Sequence, residues 1–315
     1  GLSMVDWHPV TGIIPPLSEA DWKTEFLKYQ QFPEYQKINM GMSLDAFKTI
    51  FWFEYFHRVL GRLIGIMFFI PFMFFLVTHR IRRAVTWKLS VIFILGAAQG
   101  ALGWYMVKSG LVDNPRVSQY RLTAHLGLAV LIYASILWVA FSLIGASSEL
   151  DRRFFIPSAS ISCLIFVMIL SGGLVAGTKA GYVYPTFPLM GGRFFPKELY
   201  SMTPSWISAF EDLVTIQFNH RMLAYLIVVF ITVFTVNALR SNVNNRSRAG
   251  ILAMFTLMLL QVSLGISTLV LHMPIQLAAA HQIGAIALLS ASLFVTHCCQ
   301  PLSRPPEISE NPSAP

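Results

Sequence analysis

Seven stretches of the chain are almost continuously apolar and long enough to cross a membrane. They lie near residues 55–78, 89–107, 122–146, 157–177, 219–239, 249–271 and 277–297. About 20 apolar residues in a helix span a hydrocarbon core of about 30 Å. The sequence is 55% hydrophobic and only 12% charged, which is far from a soluble domain. The pattern therefore predicts an all-α integral membrane protein that contacts the lipid bilayer through seven spans.

The polar connections between these stretches divide by charge. Basic residues are concentrated in three alternating connections, namely Arg80, Arg82, Arg83 and Lys88, then Arg152 and Arg153, then Arg240, Arg246 and Arg248. The positive-inside rule assigns these three connections to one inner face, so residues 1–54 face outward, with Trp22 and Tyr55 expected at the membrane interface. The net charge of +8 thus reflects topology, and no nucleic-acid partner is expected.

Polar residues inside the apolar stretches repeat along the chain. His57 returns as His220 after 163 residues, Gln99 as Gln261 after 162, and His125 as His281 after 156. The repeat predicts two parallel halves, 1–150 and 151–300, followed by a disordered tail over 301–315. The second half carries an extra span, 157–177, before its first histidine. We therefore expect a corresponding helix before Gly1, which would give two pseudo-symmetric four-helix bundles.

The four repeated histidines should lie in the first turns of their spans, at similar depth below the outer surface. A single buried histidine often only donates to a backbone carbonyl, but four at matched positions favour metal ligation. Two imidazoles on facing helices are the usual way to hold haem iron from both sides. One turn below each histidine stands a small residue that leaves room for a flat ring or simply packs helices: Gly61, Ala129, Ala224 and Ala285.

Three arginines lie beside the predicted ligands. Arg58 and Arg221 follow His57 and His220, and Arg121 precedes His125 by one turn. Guanidinium groups there can pair with haem propionates or reach lipid headgroups. The matched glutamines, Gln99 and Gln261, can form interhelical hydrogen bonds or contact a cofactor, and the sequence does not choose between these roles.

The two halves differ at one ionisable position. Glu54 lies three residues before His57 on the same helix face, whereas the counterpart before His220 is Gln217. A carboxylate can remove a proton or stabilise positive charge, and an amide cannot accept that proton. The difference predicts chemistry in the N-terminal half and an electron-relay haem in the C-terminal half, unless Glu54 is merely an interfacial residue.

Several long motifs resemble the haem A synthase family in its mitochondrial and alphaproteobacterial form, over essentially the whole chain. They are Gly1-Leu2-Ser3-Met4-Val5-Asp6-Trp7, Glu54-Tyr55-Phe56-His57-Arg58, residues 99–110 from Gln99 to Gly110, residues 115–122 from Pro115 to Leu122, and Asn219-His220-Arg221. The resemblance implies eight helices in two halves. It also implies oxidation of a methyl group of haem O to a formyl group, which makes haem A for cytochrome c oxidase.

The resemblance further implies roles for individual residues. His57 and His125 would flank the substrate haem O, His220 and His281 would hold a resident haem b, and Glu54 would be the acidic residue beside the substrate. Expected partners are haem O synthase and an electron acceptor or donor protein, with a homo-oligomer as a further expectation. The expected location is an inner membrane, either the bacterial cell membrane or the mitochondrial inner membrane.

Two other classes share parts of the pattern. A di-haem b-type cytochrome that moves electrons from quinol would use the same four histidines, although it gives no reason for an acid in one half only. A transporter built on parallel repeats would share the topology and would bind no haem.

Overall fold

The structure is a computed structural model that describes residues 3–5, 13–110, 117–144 and 150–300. These residues are helices and their connections, without a β-strand; one isolated bridge joins Met190 and Arg193. The helices are α1 (Glu19–Gln30), α2 (Pro33–Lys37), α3 (Leu44–Val77), α4 (Arg83–Gly110), α5 (Gln119–Ile144), α6 (Phe155–Thr178), α7 (Ser208–Glu211), α8 (Leu213–Leu239), α9 (Asn245–Val270) and α10 (Ile275–Cys298).

Seven of these helices are long and apolar enough to cross a membrane, namely α3, α4, α5, α6, α8, α9 and α10. Each contains one of the seven apolar stretches almost entirely, so the predicted all-α fold with seven spans is confirmed. The protein is accordingly a multi-pass membrane protein. The predicted tail over 301–315 lies outside the described residues.

The first membrane helix begins earlier than its apolar stretch. α3 starts at Leu44, where the Ser43 side chain accepts a hydrogen bond from the Ala46 amide and caps the helix. His57 therefore lies in the fourth turn of α3, although it stands near the start of the apolar stretch, and its predicted depth below the outer surface remains a prediction. The extra turns, from Leu44 to Phe53, are mixed in polarity, and their buried residues Phe47 and Phe51 pack against α1.

An aromatic cluster joins α1 to the outer turns of α3. Trp22 and Tyr29 of α1 pack with Phe47, Phe51 and Tyr55 of α3, and all five side chains are buried. The Trp22 and Phe51 rings lie 5.0 Å apart edge to face, and the Tyr29 and Phe47 rings lie 5.1 Å apart. Trp22 and Tyr55 thus fill the core of this small cluster, and their placement at the membrane interface remains a prediction.

Tyr29 shows how a polar atom is accommodated inside this cluster. Its hydroxyl donates to a carboxylate oxygen of Glu34 (3.3 Å) and accepts from the Asn39 amide (2.7 Å). Burial raises the pKa of Tyr29 to about 12, so the phenol stays protonated and keeps its donor. The hydroxyl therefore ties α1 to α2 and the turn that follows it.

The chain divides into two compact units. Of the described residues, the first unit contains those within 3–136, with Leu170–Val183 and Lys197–Gln217, and the second contains those within 137–169, Tyr184–Pro196 and 218–300. His57 and His125 belong to the first unit, and His220 and His281 belong to the second. The division into halves 1–150 and 151–300, which follows the sequence repeat, remains a prediction.

Candidate functional site

The first pair of predicted ligands is brought together. His57 of α3 and His125 of α5 have ring centroids 6.4 Å apart, with their planes inclined by 69°. Two metal–imidazole bonds of about 2 Å each, plus the distance from each nitrogen to its ring centre, sum to about 6.5 Å. The separation therefore fits one iron held between the two rings, as bis-histidine haem ligation requires.

The helix face below His57 is open. A methyl group built on Gly61 would meet no atom within 4 Å, and the same is true at Gly65 one turn further on. On the facing helix α5, Ala129 is partly buried and presents only a methyl group. The described residues thus leave room on α3 for a flat macrocycle beside the imidazoles, which fits the predicted use of Gly61 and Ala129.

The second pair lies in the second unit. His220 of α8 and His281 of α10 are both partly buried and belong to the same compact unit. Ala224 and Ala285 stand one turn below them, partly buried on the same helices. This arrangement repeats that of the first pair, so each unit holds one pair of imidazoles.

Two histidines keep a ring nitrogen that the protein does not use. The Nδ1 atoms of His125 and His281 are buried and have no hydrogen-bond partner among the described residues. A buried nitrogen without a partner is costly unless a ligand or water occupies it. In addition, the described residues contain no group of three or more histidine, cysteine or carboxylate side chains arranged around a metal. The candidate ligands therefore occur as imidazole pairs, the donor set suited to haem iron.

The structure also settles what the two matched glutamines contact. The Gln99 side-chain amide donates to the His125 backbone carbonyl at 3.0 Å and lies 3.3 Å from His125 Nε2. The Gln261 amide repeats this with His281, at 2.9 Å to the carbonyl and 3.5 Å to Nε2. Both glutamines thus make the interhelical hydrogen bond that the sequence left open.

Glu54 is buried and fully engaged. Its Oε2 atom accepts from the Ser3 amide (2.9 Å), the Ser3 hydroxyl (2.7 Å) and the Met4 amide (3.2 Å). Its Oε1 atom forms an ion pair with Arg58 at 2.6 Å. The carboxylate therefore holds the segment 3–5 against α3, and the charge-assisted hydrogen bonds fix its position one turn above His57.

The three candidate arginines also have protein partners. Arg58 donates to the Met4 carbonyl at 2.9 Å as well as to Glu54. Arg221 donates to the Tyr184 carbonyl at 3.0 Å and weakly to that of Pro188 at 3.5 Å. Arg121 donates to the Ser109 hydroxyl and stacks on the Tyr105 ring. Arg58 and Arg221, which each directly follow a histidine, thus bind backbone carbonyl groups of segments outside the membrane helices.

Three functional candidates were missed by sequence reasoning. Ser3, only 1% exposed, could not be linked to Glu54 because the two are far apart along the chain. Gly103 and Gly265 face the Cε1 atoms of His125 and His281. The sequence did contain a sign of these two glycines, because each follows its glutamine by four residues in both halves.

The seven apolar helices, with one pair of histidines in each compact unit, define the class of the chain, that of helical multi-pass membrane proteins. The sequence profile of the COX15-CtaA family, described as cytochrome oxidase assembly protein, matches residues 1–293. The chain belongs to this family.

Several bacterial proteins named haem A synthase are similar to the chain over most of its length. The protein of Nitrosospira multiformis is 50% identical over 94% of this chain and 85% of its own length. That of Paramagnetospirillum magneticum is 49% identical over 94% and 85%, and that of Nitrosomonas eutropha is 47% identical over 96% and 86%. The resemblance read from the motifs is thereby confirmed.

Proposed function

We propose that the chain is a haem A synthase, an enzyme that oxidises a methyl group of haem O to a formyl group. The observation that carries this proposal is the similarity, at 47 to 50% identity over nearly the whole chain, to three proteins of that name. The imidazole pair with a 6.4 Å ring separation supports it independently, since it fits a haem. The product would serve the assembly of cytochrome c oxidase, as the family description indicates.

In the proposed reaction water supplies the oxygen atom, so the methyl group and one net water molecule give the formyl group, four protons and four electrons. Two successive hydroxylations give a geminal diol, which loses water to form the aldehyde. His57 and His125 would hold and orient the substrate haem. His220 and His281 would hold a resident haem b, which would supply one-electron redox chemistry when bound.

We assign Glu54 the role of the proton acceptor beside the substrate. The ion pair with Arg58 compensates a negative charge at a depth where an isolated carboxylate would be costly. The bonds from Ser3 and Met4 hold the carboxylate in place, so it does not have to reorganise during the reaction. Gln217, the counterpart in the second half, donates instead to the Gly181 carbonyl at 3.4 Å.

The proposed setting is the cell membrane of a bacterium, because the similar proteins named above are bacterial. Proposed partners follow from the chemistry. An enzyme that makes haem O must supply the substrate, and an electron acceptor must remove four electrons per turnover. A homo-oligomer is a further proposal.

Pigment extraction from the purified protein tests the proposal. We expect haem b together with haem O or haem A, separated by chromatography and identified by their masses. Haem b alone would contradict the substrate assignment and favour an electron-transfer cytochrome, and a colourless but folded protein would contradict any haem function. His272→Asn is a suitable control variant, since His272 is exposed, has a left-handed backbone (φ 63°) that Asn tolerates, and lies outside the repeat.

A further inference from the structure

A glutamine and a glycine, four residues apart, face the second histidine of each half. Gln99 and Gly103 lie on α4 and face His125 of α5. Gln261 and Gly265 lie on α9 and face His281 of α10. Residues four apart share one face of a helix, so each pair acts on its imidazole from a single neighbouring helix.

Each glutamine fixes its histidine at the backbone and at the ring. An amide nitrogen can only donate, and the short contact to the histidine carbonyl (3.0 and 2.9 Å) determines which end of the glutamine side chain points there. The same nitrogen lies 3.3 and 3.5 Å from Nε2 of the ring. The glutamine therefore restrains the rotation of the imidazole about its own side-chain bonds.

Each glycine leaves space for the ring on the same helix, one turn after the glutamine. A methyl group at position 103 would lie 2.9 Å from His125 Cε1, and one at position 265 would lie 2.8 Å from His281 Cε1. These distances are shorter than van der Waals contact, so any side chain there would push the ring away. The imidazole ring thus contacts the glutamine amide and packs closely over the glycine, which has no side chain to displace it.

We propose that Gln99 with Gly103, and Gln261 with Gly265, are positioning residues that set the orientation of His125 and His281 toward the haem. The two pairs arose in two halves of the chain and make the same contacts within 0.2 Å in each, which a chance packing arrangement does not explain. This inference rests on the proposed haem function. Outer partners of this kind tune ligand basicity and orientation in metal sites.

The test compares matched variants of the second half. Gln261→Leu keeps a side chain of comparable bulk and removes the donor. Gln282→Leu is its control, because Gln282 is exposed beside His281 on α10. We expect Gln261→Leu to weaken haem b retention about tenfold or more and to change the EPR g-values of the oxidised haem, which report the relative orientation of the two axial imidazoles. Gln282→Leu should match the wild type in both readouts.

The first half supplies a second comparison. Gly103→Ala should shift the spectrum of haem O bound between His57 and His125, whereas Gly100→Ala, where a methyl group meets no atom within 4 Å, should not. Because each half is the other's internal control, each variant should affect only the haem of its own half. Two outcomes would overturn the positioning role. One is that a variant loses both haems equally. The other is that Gln261→Leu keeps wild-type g-values and haem retention while Gly103→Ala leaves the spectrum unshifted. Absence of haem from the wild type would instead overturn the proposed function.

Discussion

Glu54 and Gln217 occupy the same position in the two halves but differ in charge and in their contacts. Both are buried, at 8% and 3% exposed, and each contacts a segment outside the membrane helices, residues 3–5 for Glu54 and Gly181 for Gln217. Only Glu54 carries a charge, and only Glu54 requires an ion pair to be buried. A buried charge in one half and an amide at the matching position of the other fit the proton transfer proposed for the first half, beside the structural role of Glu54 in holding residues 3–5.

Glu54→Gln should retain both haems and lower the formation of haem A by about a hundredfold or more, since the amide cannot accept a proton. Product is measured by pigment chromatography after expression together with a source of haem O. Ser3→Ala separates this role from simple attachment of the segment 3–5, because it removes one hydrogen bond to Glu54 and leaves the carboxylate. Ser3→Ala should keep most of the product; normal haem A output from Glu54→Gln would refute the assignment.

His220→Ala should remove the resident haem b while haem O still binds between His57 and His125. The expected result is a haem b content near zero by pigment extraction, because one imidazole of the pair is lost. His57→Ala should show the opposite, with haem b retained and haem O lost. If His220→Ala leaves the haem b content unchanged, the ligand assignment in the second half is wrong.

At the scale of helices, the sequence predicted the membrane spans but not the packing of α1 against α3. The seven spans follow from apolar length alone, which is a local property, and the histidine, glutamine and arginine positions followed from the repeat. The start of α3 at Leu44 and the burial of Trp22 did not follow, because both depend on packing between α1 and α3. The partners of Arg58 and Arg221 were also beyond the sequence, since backbone carbonyl groups 33 to 54 residues away leave no local pattern.

The outer cluster should make α1 depend on the outer turns of α3. Phe47 is fully buried in it, and Phe47→Ala should destabilise the cluster by about 3 to 5 kcal/mol. Amide hydrogen exchange in α1 should then speed up by about two to three orders of magnitude. Phe53→Ala, on the same helix but 73% exposed, should leave that exchange unchanged, and equal effects of the two variants would contradict the packing described for α1.

At the scale of the whole molecule, the distribution of charge determines orientation in the membrane. The basic connections between α3 and α4 and between α8 and α9 should face the cytoplasm, because translocating Lys and Arg across the bilayer is unfavourable. The segments that hold Glu54 and Arg221, and with them all four histidines, then lie toward the outer side. Substrate haem would accordingly be bound close to the exterior leaflet, where its propionates can reach water.

Cysteine labelling tests this orientation directly. Ser201→Cys places an exposed thiol in the outer connection between α6 and α8, and Asn242→Cys places one in the inner connection between α8 and α9. Cys163 is replaced by serine as background, because it is exposed, while Cys298 and Cys299 are buried. A membrane-impermeant thiol reagent should label Ser201→Cys in intact cells and label Asn242→Cys only after the membrane is opened. The reverse pattern would place the haem-binding histidines near the cytoplasmic side and would contradict the topology on which the site assignment depends.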